Sequence, residues 1–337
     1  MKSGKILRAI LAILLCSGIL LLLDLNNRNS TPKSDMKRIA IFKIASRQVL
    51  EESEKGVLDE LAVRGYIDGK NCVIKRYSAE GDMPTGNMIA KNIVDGRFDM
   101  VITISTPALQ IMANANKKGK VMHVFCTVTD PYVSGVGITG PNPDQHPKHL
   151  VGIGTFQPVE VAFDVAKQMK PDLKKVGTVW CTSETCAEAC VKLARNKCKE
   201  LGIELIEMSV ESATQVLETA MAVTAKGAQA LWLGGDNVVE LGVDQLNNAA
   251  NKAGIPLFTN NPTFVYDNTL FGVGAEYYEV GKLAGEMACD IMEGKSTSEI
   301  SIQNVVPRNL KVNPNVLKNL KEKWDISAFE ENFIKVD

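Results

Sequence analysis

The sequence predicts an α/β protein of two lobes, each built on a doubly wound parallel sheet. Three observations carry that expectation. Short apolar, β-branched runs alternate with amphipathic helical segments from Lys37 onward, at the spacing of βαβ units. A glycine- and proline-rich stretch, 135–148, breaks the rhythm once, and a second series of the same kind follows it. The chain has 337 residues, which suits two bodies of about 100–150 residues each.

In the first series 38–44 reads as a strand. A helix over 50–64 follows, with Leu50, Val57, Leu58, Leu61 and Ala62 on one face and a stop near Gly65. Next come a strand at 71–77, a helix at 84–95 and a strand at 100–104. Ser105-Thr106-Pro107 supplies a capping hydroxyl and a first-turn proline, so a helix runs over 107–115 before the strand 121–125. After the break, 150–155 is extended and Pro158 opens a helix. Strands at 175–180, 203–208, 229–233 and 255–258 then alternate with helices at 183–201, 213–226 and 238–253. A strand at 269–274, a long helix at 276–293, an extended run at 300–305 and a closing helix at 313–323 complete the chain.

The composition, 45% hydrophobic and 23% charged, is that of a globular chain with a sizeable core. Lys+Arg 38 against Asp+Glu 39 leaves a net charge of -1, which offers no electrostatic footing for nucleic acid or a membrane surface. The N-terminus differs from the rest. Lys2, Lys5 and Arg8 precede an uncharged apolar run, 9–23, that ends at Asp24, the pattern of an export signal or an anchor. Residues 6–25 just reach the ~20 positions a spanning helix needs. No small-x-small cleavage site follows, which favours an uncleaved anchor with its basic end inside, and 26–37 then acts as a tether. Lipid attachment at Cys16 is a further option, although Leu15 stands where lipoprotein signals want a small residue.

Of the 8 cysteines, Cys181, Cys186, Cys190 and Cys198 cluster without the paired C-x2-C spacing of a zinc site. They read as small buried thiols on a helix face, or, alternatively, as a Cys181–Cys186 bridge across a strand-to-helix turn.

A strand that ends in a capped helix leaves N–H groups and hydroxyls facing the crevice beyond the sheet, where parallel α/β proteins bind ligands. That grammar occurs at 98–109 and recurs at 124–131, 176–184 and 230–237. The candidate ligand contacts follow from it. Ser105 and Thr106 either bond a ligand carboxylate or only cap a helix. Thr129 and Asp130 either face the cleft or form the turn that Pro131 favours. Thr182 and Glu184 precede a helix on the opposite lobe. Asp236 can neutralise a ligand amine and Asn237 can donate and accept, unless the pair serves as an N-cap. Glu276 and Tyr277 sit at a crossover of the chain, as a hinge contact or a ligand contact, and Tyr277 is either a stacking face or a core residue. Ser46 and Asn260, after the strands 38–44 and 255–258, complete the set.

Several patterns fail. Gly135-Val136-Gly137-Ile138-Thr139-Gly140 fits the dinucleotide fingerprint, yet Pro141 and Pro143 stand where its helix must start. His146 and His149 have only His123 as a further histidine, too few ligands for a metal. There is no G-x-S-x-G, P-loop or H-E-x-x-H, so an enzyme has no catalytic anchor, and an apolar segment stands where a DNA-binding regulator needs a helix-turn-helix.

Six short motifs occur in order: Gly81-Asp82 with Ile89-Ala90, Thr106-Pro107-Ala108, Thr129-Asp130-Pro131, Gly235-Asp236-Asn237-Val238, Ile255-Pro256-Leu257-Phe258, and Gly274-Ala275-Glu276-Tyr277-Tyr278-Glu279-Val280-Gly281. With them, residues 37 to about 325 resemble the ABC transporter substrate-binding proteins that include tryptophan- and tyrosine-binding members and have the periplasmic-binding-protein type I fold. The resemblance implies three passages between lobes, near Thr155, Ala275 and Val306. Lobe 1 is then 37–155 with 276–305, lobe 2 is 156–275 with 306–337, and 1–36 is signal or anchor and tether. It implies a small-molecule ligand, an ABC permease as partner, no cofactor, and an extracytoplasmic place. The ligand expected is an amino acid or similar zwitterion, its carboxylate on Ser105, Thr106 and Thr182 and its ammonium on Asp236 or Glu184. A sensory module for a membrane-bound signalling partner is the alternative. Two departures bear on the ligand: Ser46-Arg47-Gln48 replaces a usual Glu-His-Pro, and Cys181-Thr182-Ser183-Glu184 replaces Asn-Pro-Ser-Glu.

Overall fold

The computed structural model describes residues 17, 36–304 and 309–334. Two six-stranded sheets frame it. The first holds β1 (Lys37–Lys43), β2 (Cys72–Ser78), β3 (Met100–Ile104), β4 (Met122–Val128), β5 (Leu150–Gly154) and β11 (Gln303–Asn304) in the order β11-β5-β4-β3-β1-β2. The second holds β6 (Lys175–Trp180), β7 (Glu204–Ser209), β8 (Ala230–Leu233), β9 (Leu257–Thr259), β10 (Thr269–Gly274) and β12 (Asn309–Val312) in the order β12-β10-β9-β8-β6-β7. Pairing is parallel except between β10 and β12. Each sheet reverses its winding once, between β1 and β3 and between β6 and β8, and the crevice beyond those strand ends is where side chains from both sheets meet.

The helices are α1 (Gln48–Val63), α2 (Met83–Asp95), α3 (Thr106–Ala115), α4 (Val159–Met169), α5 (Thr185–Leu201), α6 (Val216–Ala225), α7 (Asn237–Glu240), α8 (Val243–Ala253) and α9 (Tyr277–Met292). Because helices cover both faces, β3 and β10 are buried along their whole length, which is why they read as unbroken apolar runs. In the second lobe Phe163 of α4 packs on Trp232 and Phe258 with ring centroids 5.2 and 5.4 Å apart, and Phe258 stacks on Phe271 at 5.1 Å.

The chain leaves the first sheet through 155–158 and returns after β10 into α9, whose Gly281 lies against Ser53 of α1. The third passage, expected near Val306, falls outside the described residues, as do Cys16 and most of the N-terminal anchor and tether. No helix among the described residues is long and apolar enough to cross a membrane.

Three expectations need correction. The helix over 238–253 is two helices, α7 and α8, with a break at Leu241 and Gly242. Here Gly242 lies so close to Val216 that an added Cβ would sit 2.9 Å from its Cγ2. The closing helix over 313–323 is only a 3-10 segment, Pro314–Asn319. Val316 alone is fully buried in it, with Leu317 and Leu320 packed against the same core, and Asn313 bonds the Asn315 N–H with its side chain, which favours a tight turn at the start. The cysteines described are all free and buried, which excludes the Cys181–Cys186 bridge; Sγ of Cys181 meets Ser183 and Sγ of Cys186 meets Glu184.

His123 of β4 is buried with one ring nitrogen 2.8 Å from Thr103 Oγ1, and burial, helped by His149, depresses its pKa from 6.5 to about 3. The folded state therefore refuses a proton that the unfolded chain accepts below 6.5. Stability attributable to this group is constant above that value and falls by about 1.4 kcal/mol per pH unit as pH drops toward 3. Urea unfolding of the protein and of His123→Gln at pH 7, 6, 5 and 4 checks this. The parent should lose about 2–3 kcal/mol more than the variant between pH 6 and 4, and parallel profiles would refute it.

Candidate functional site

A cavity of about 30 Å³ lies between the two sheets at their switch points. The first lobe contributes Arg47 from the β1–α1 loop, Thr106 from the start of α3, and Thr127 and Thr129 from the end of β4. The passages contribute Thr155, Gln157 and Tyr277. The second lobe contributes Cys186 of α5 and Gly235, Asp236, Asn237 and Glu240 in and before α7.

Local strain places the threonines. Ser105 has φ 110° and Thr127 φ 56°, both in a region that residues with a Cβ rarely enter. The register of β4 against β5 slips between Phe125 and Val128, a bulge of the kind that re-aims side chains beside a site. Thr106 Oγ1 accepts from the Thr129 N–H at 3.4 Å, joining the two strand ends.

On the second lobe, Asp236 is 3 % exposed. One of its oxygens accepts from the N–H groups of Val238 and Val239, each at 2.9 Å, and the other accepts from the Cys181 N–H at 2.6 Å. Burial, with the nearby charge of Glu184, nevertheless pushes its pKa up to about 6. Burial likewise raises Glu240 to about 7, against the pull of Arg47. Glu184 Oε2 accepts from the Asn237 N–H at 3.1 Å and side-chain amide at 2.5 Å, and from the Cys186 thiol at 3.0 Å.

The lobes touch across the cleft. The Arg47 guanidinium donates to Glu240 Oε2 and to Asn237 Oδ1, and the Gln110 amide donates to Thr185 Oγ1 at 3.0 Å.

Of the residues expected from sequence, Thr106, Thr129, Asp236, Asn237 and Tyr277 line the cavity, and Glu184 stands behind Asn237. The others lie elsewhere. Ser46 is exposed and donates to Glu80. Ser105 is buried as the cap of α3, Asp130 bonds the Tyr132 N–H, and Thr182 faces solvent. Asn260 accepts from the Trp232 indole and donates to the Val273 carbonyl, and Glu276 accepts from Asn309 beside a separate surface groove. The capping alternative therefore accounts for Ser105. Asp236 both caps α7 and lines the cavity.

Arg47, Thr127, Thr155, Gln157, Cys186 and Glu240 were missed. Arg47 had a signal, as the cation in the departure from Glu-His-Pro, and Thr155 one, as the residue at the first passage. Glu240 was hidden inside an expected continuous helix. Among the described residues no cluster of His, Cys, Asp and Glu fits a metal ion.

The sequence profile of the family described as ABC transporter substrate binding protein matches residues 38–328. A tyrosine-binding protein of Clostridioides difficile (strain R20291) is 27% identical over 343 residues, covering 100% of this chain and 97% of that protein. Among solved structures, a conserved domain protein from Vibrio cholerae superposes with a TM-score of 0.83 at 24% identity, covering 88% of this chain and 98% of that one. An ABC domain from Streptococcus pneumoniae in complex with L-Trp gives 0.81 at 20% identity, covering 89% and 100%. A substrate-binding protein with adhesive properties from Clostridium difficile, in a ligand-free, open structure, gives 0.65 at 24% identity, covering 90% and 100%.

Proposed function

Because this chain belongs to the ABC transporter substrate-binding protein family, we propose that its cleft closes on an amino acid or a similar zwitterion. The protein is the substrate-binding component of an ABC transporter; members of the family are solute-binding proteins rather than enzymes, and they work outside the cytoplasm. That membership does not favour the sensory alternative. The basic and apolar N-terminal segment is proposed to hold the protein at the outer face of the membrane, where the closed form meets its permease.

One observation carries the ligand class: threonine hydroxyls of one lobe face buried carboxylates of the other across a single small cavity. Thr106 and Thr129 suit a carboxylate, and the acids beside Asn237 suit an ammonium group. A ligand bridging the two lobes contributes all its contacts only when they are closed, and that difference in affinity shifts the population toward closure. The relatives named for tyrosine and solved with L-Trp lend support.

Thermal melts of the protein with each of the common amino acids test the proposal. A true ligand at 100 times its dissociation constant adds about 2.7 kcal/mol. A panel in which no amino acid raises the melting temperature would sink it.

A further inference from the structure

We propose that the cleft selects an amino acid carrying an extra positive charge, and that the Arg47 guanidinium occupies the seat which that charge takes. This rests on the amino-acid function above and adds the charge of the side chain.

Arg47 belongs to the first lobe, yet its side chain is only 5% exposed and lodges on the second, one terminal nitrogen on Glu240 and the other on Asn237. A carboxylate and a carbonyl oxygen that converge on the two ends of a planar fork form a seat for guanidinium. The seat is built without Arg47. Glu184 holds both the backbone N–H and the side-chain amide of Asn237, which turns the Asn237 carbonyl toward the cleft, and Asp236 anchors the short helix on which Glu240 stands. When the lobes part, Arg47 leaves with the first lobe and the seat remains on the second.

The charge balance points the same way. Glu184, Asp236 and Glu240 gather there, and Arg47 is the one cation lining the cavity among the described residues. Without it the seat carries three acids. Asp236 is 3 % exposed and the Glu240 side chain 7%, so little water screens the attraction between these carboxylates and an arriving cation.

Arg47 is an imperfect occupant. Its Nε and the Thr155 hydroxyl are buried without a hydrogen-bond partner, and both residues line the cavity. A free amino acid places its side-chain cation on Glu240 and Asn237, and its carboxylate, bound at Thr106 and Thr129, adds acceptor oxygens to the same cavity that the unpaired Thr155 hydroxyl lines. The remaining 30 Å³ holds on the order of two waters, so a ligand enters by displacing Arg47 and not beside it.

Isothermal titration of the full-length protein with arginine, citrulline, tyrosine and tryptophan tests this. Citrulline is the neutral isostere of arginine, and a buried seat for a charge rejects a partner lacking it. Arginine should bind at least tenfold more tightly than the other three. Arg47→Ala removes the internal competitor and should tighten arginine about tenfold, while Glu240→Gln should bring the arginine-to-citrulline ratio toward one. Arginine no tighter than citrulline, or an Arg47→Ala protein that no longer binds arginine, overturns the proposal. Tightest binding of tyrosine or tryptophan overturns it and leaves amino-acid binding standing. Absence of binding by any of the four to the parent and to both variants, with their folding confirmed by circular dichroism, overturns the proposal and leaves the amino-acid function to the full thermal panel.

Discussion

Asp236→Ala should destabilise the protein by about 3–5 kcal/mol and remove ligand-induced stabilisation with it. The carboxylate satisfies three backbone N–H groups at once, those of Val238 and Val239 at the start of α7 and that of Cys181 at the end of β6. All three lose their acceptor in the alanine variant, in a place where Asp236 itself is 3 % exposed and water has little access. The helix that frays as a result carries Asn237 and Glu240, so the second-lobe wall of the cavity goes with it. Asp236→Asn keeps an oxygen for the two α7 N–H groups while removing the charge. Alanine should therefore cost at least about 2 kcal/mol more than asparagine in urea unfolding at pH 7. Equal losses, or an alanine variant within about 1 kcal/mol of the parent, would show that the capping account is wrong.

Gly281→Ala should cost about 2–4 kcal/mol even though alanine is intrinsically the better helix former by about 1 kcal/mol. A Cβ on Gly281 would lie 2.0 Å from the Ser53 carbonyl oxygen, and one on Gly56 would lie 2.0 Å from that of Tyr278. Both obstacles are backbone, so no rotamer change relieves them and α1 and α9 must separate. Arg47 immediately precedes α1 and Tyr277 begins α9, so the separation also shifts two walls of the cavity. Gly285→Ala is the milder companion, because there the nearest atoms, the Glu60 Cβ at 2.8 Å and the Val57 carbonyl oxygen at 3.1 Å, stand farther from the added Cβ and a smaller shift clears them. Thermal and urea unfolding should rank Gly281→Ala well below Gly285→Ala. A Gly281→Ala protein as stable as its parent would rule out the close approach of the two helices.

Most of the fold was legible before any coordinates. The strand expected at 175–180 is β6 to the residue, and that at 100–104 is β3, because a parallel strand covered on both faces is largely apolar at consecutive central positions and a bounded apolar run says so locally. Ser105 caps α3 for the same reason: a cap acts within three residues. The failures are places where distant packing outweighed local pattern. The 238–253 periodicity continued through the break at Leu241 and Gly242, where Gly242 packs closely on Val216, and 313–323 had helical spacing but forms only a short 3-10 segment.

The site divides along the same line. Thr106, Thr129, Asp236 and Asn237 could be named from sequence because strand ends at a winding reversal face the crevice whatever the side chains elsewhere. By itself, then, the sequence determined the two sheets, their caps and which edge would carry the cleft. Only the tertiary structure decided what occupies it. Arg47 and Glu240 stand 193 positions apart, and their pairing depends on how two separately folded lobes abut, which no periodicity encodes. An ion pair of that separation is a property of the assembled cleft, because its attraction operates only when folding has brought both charges out of water to the same place.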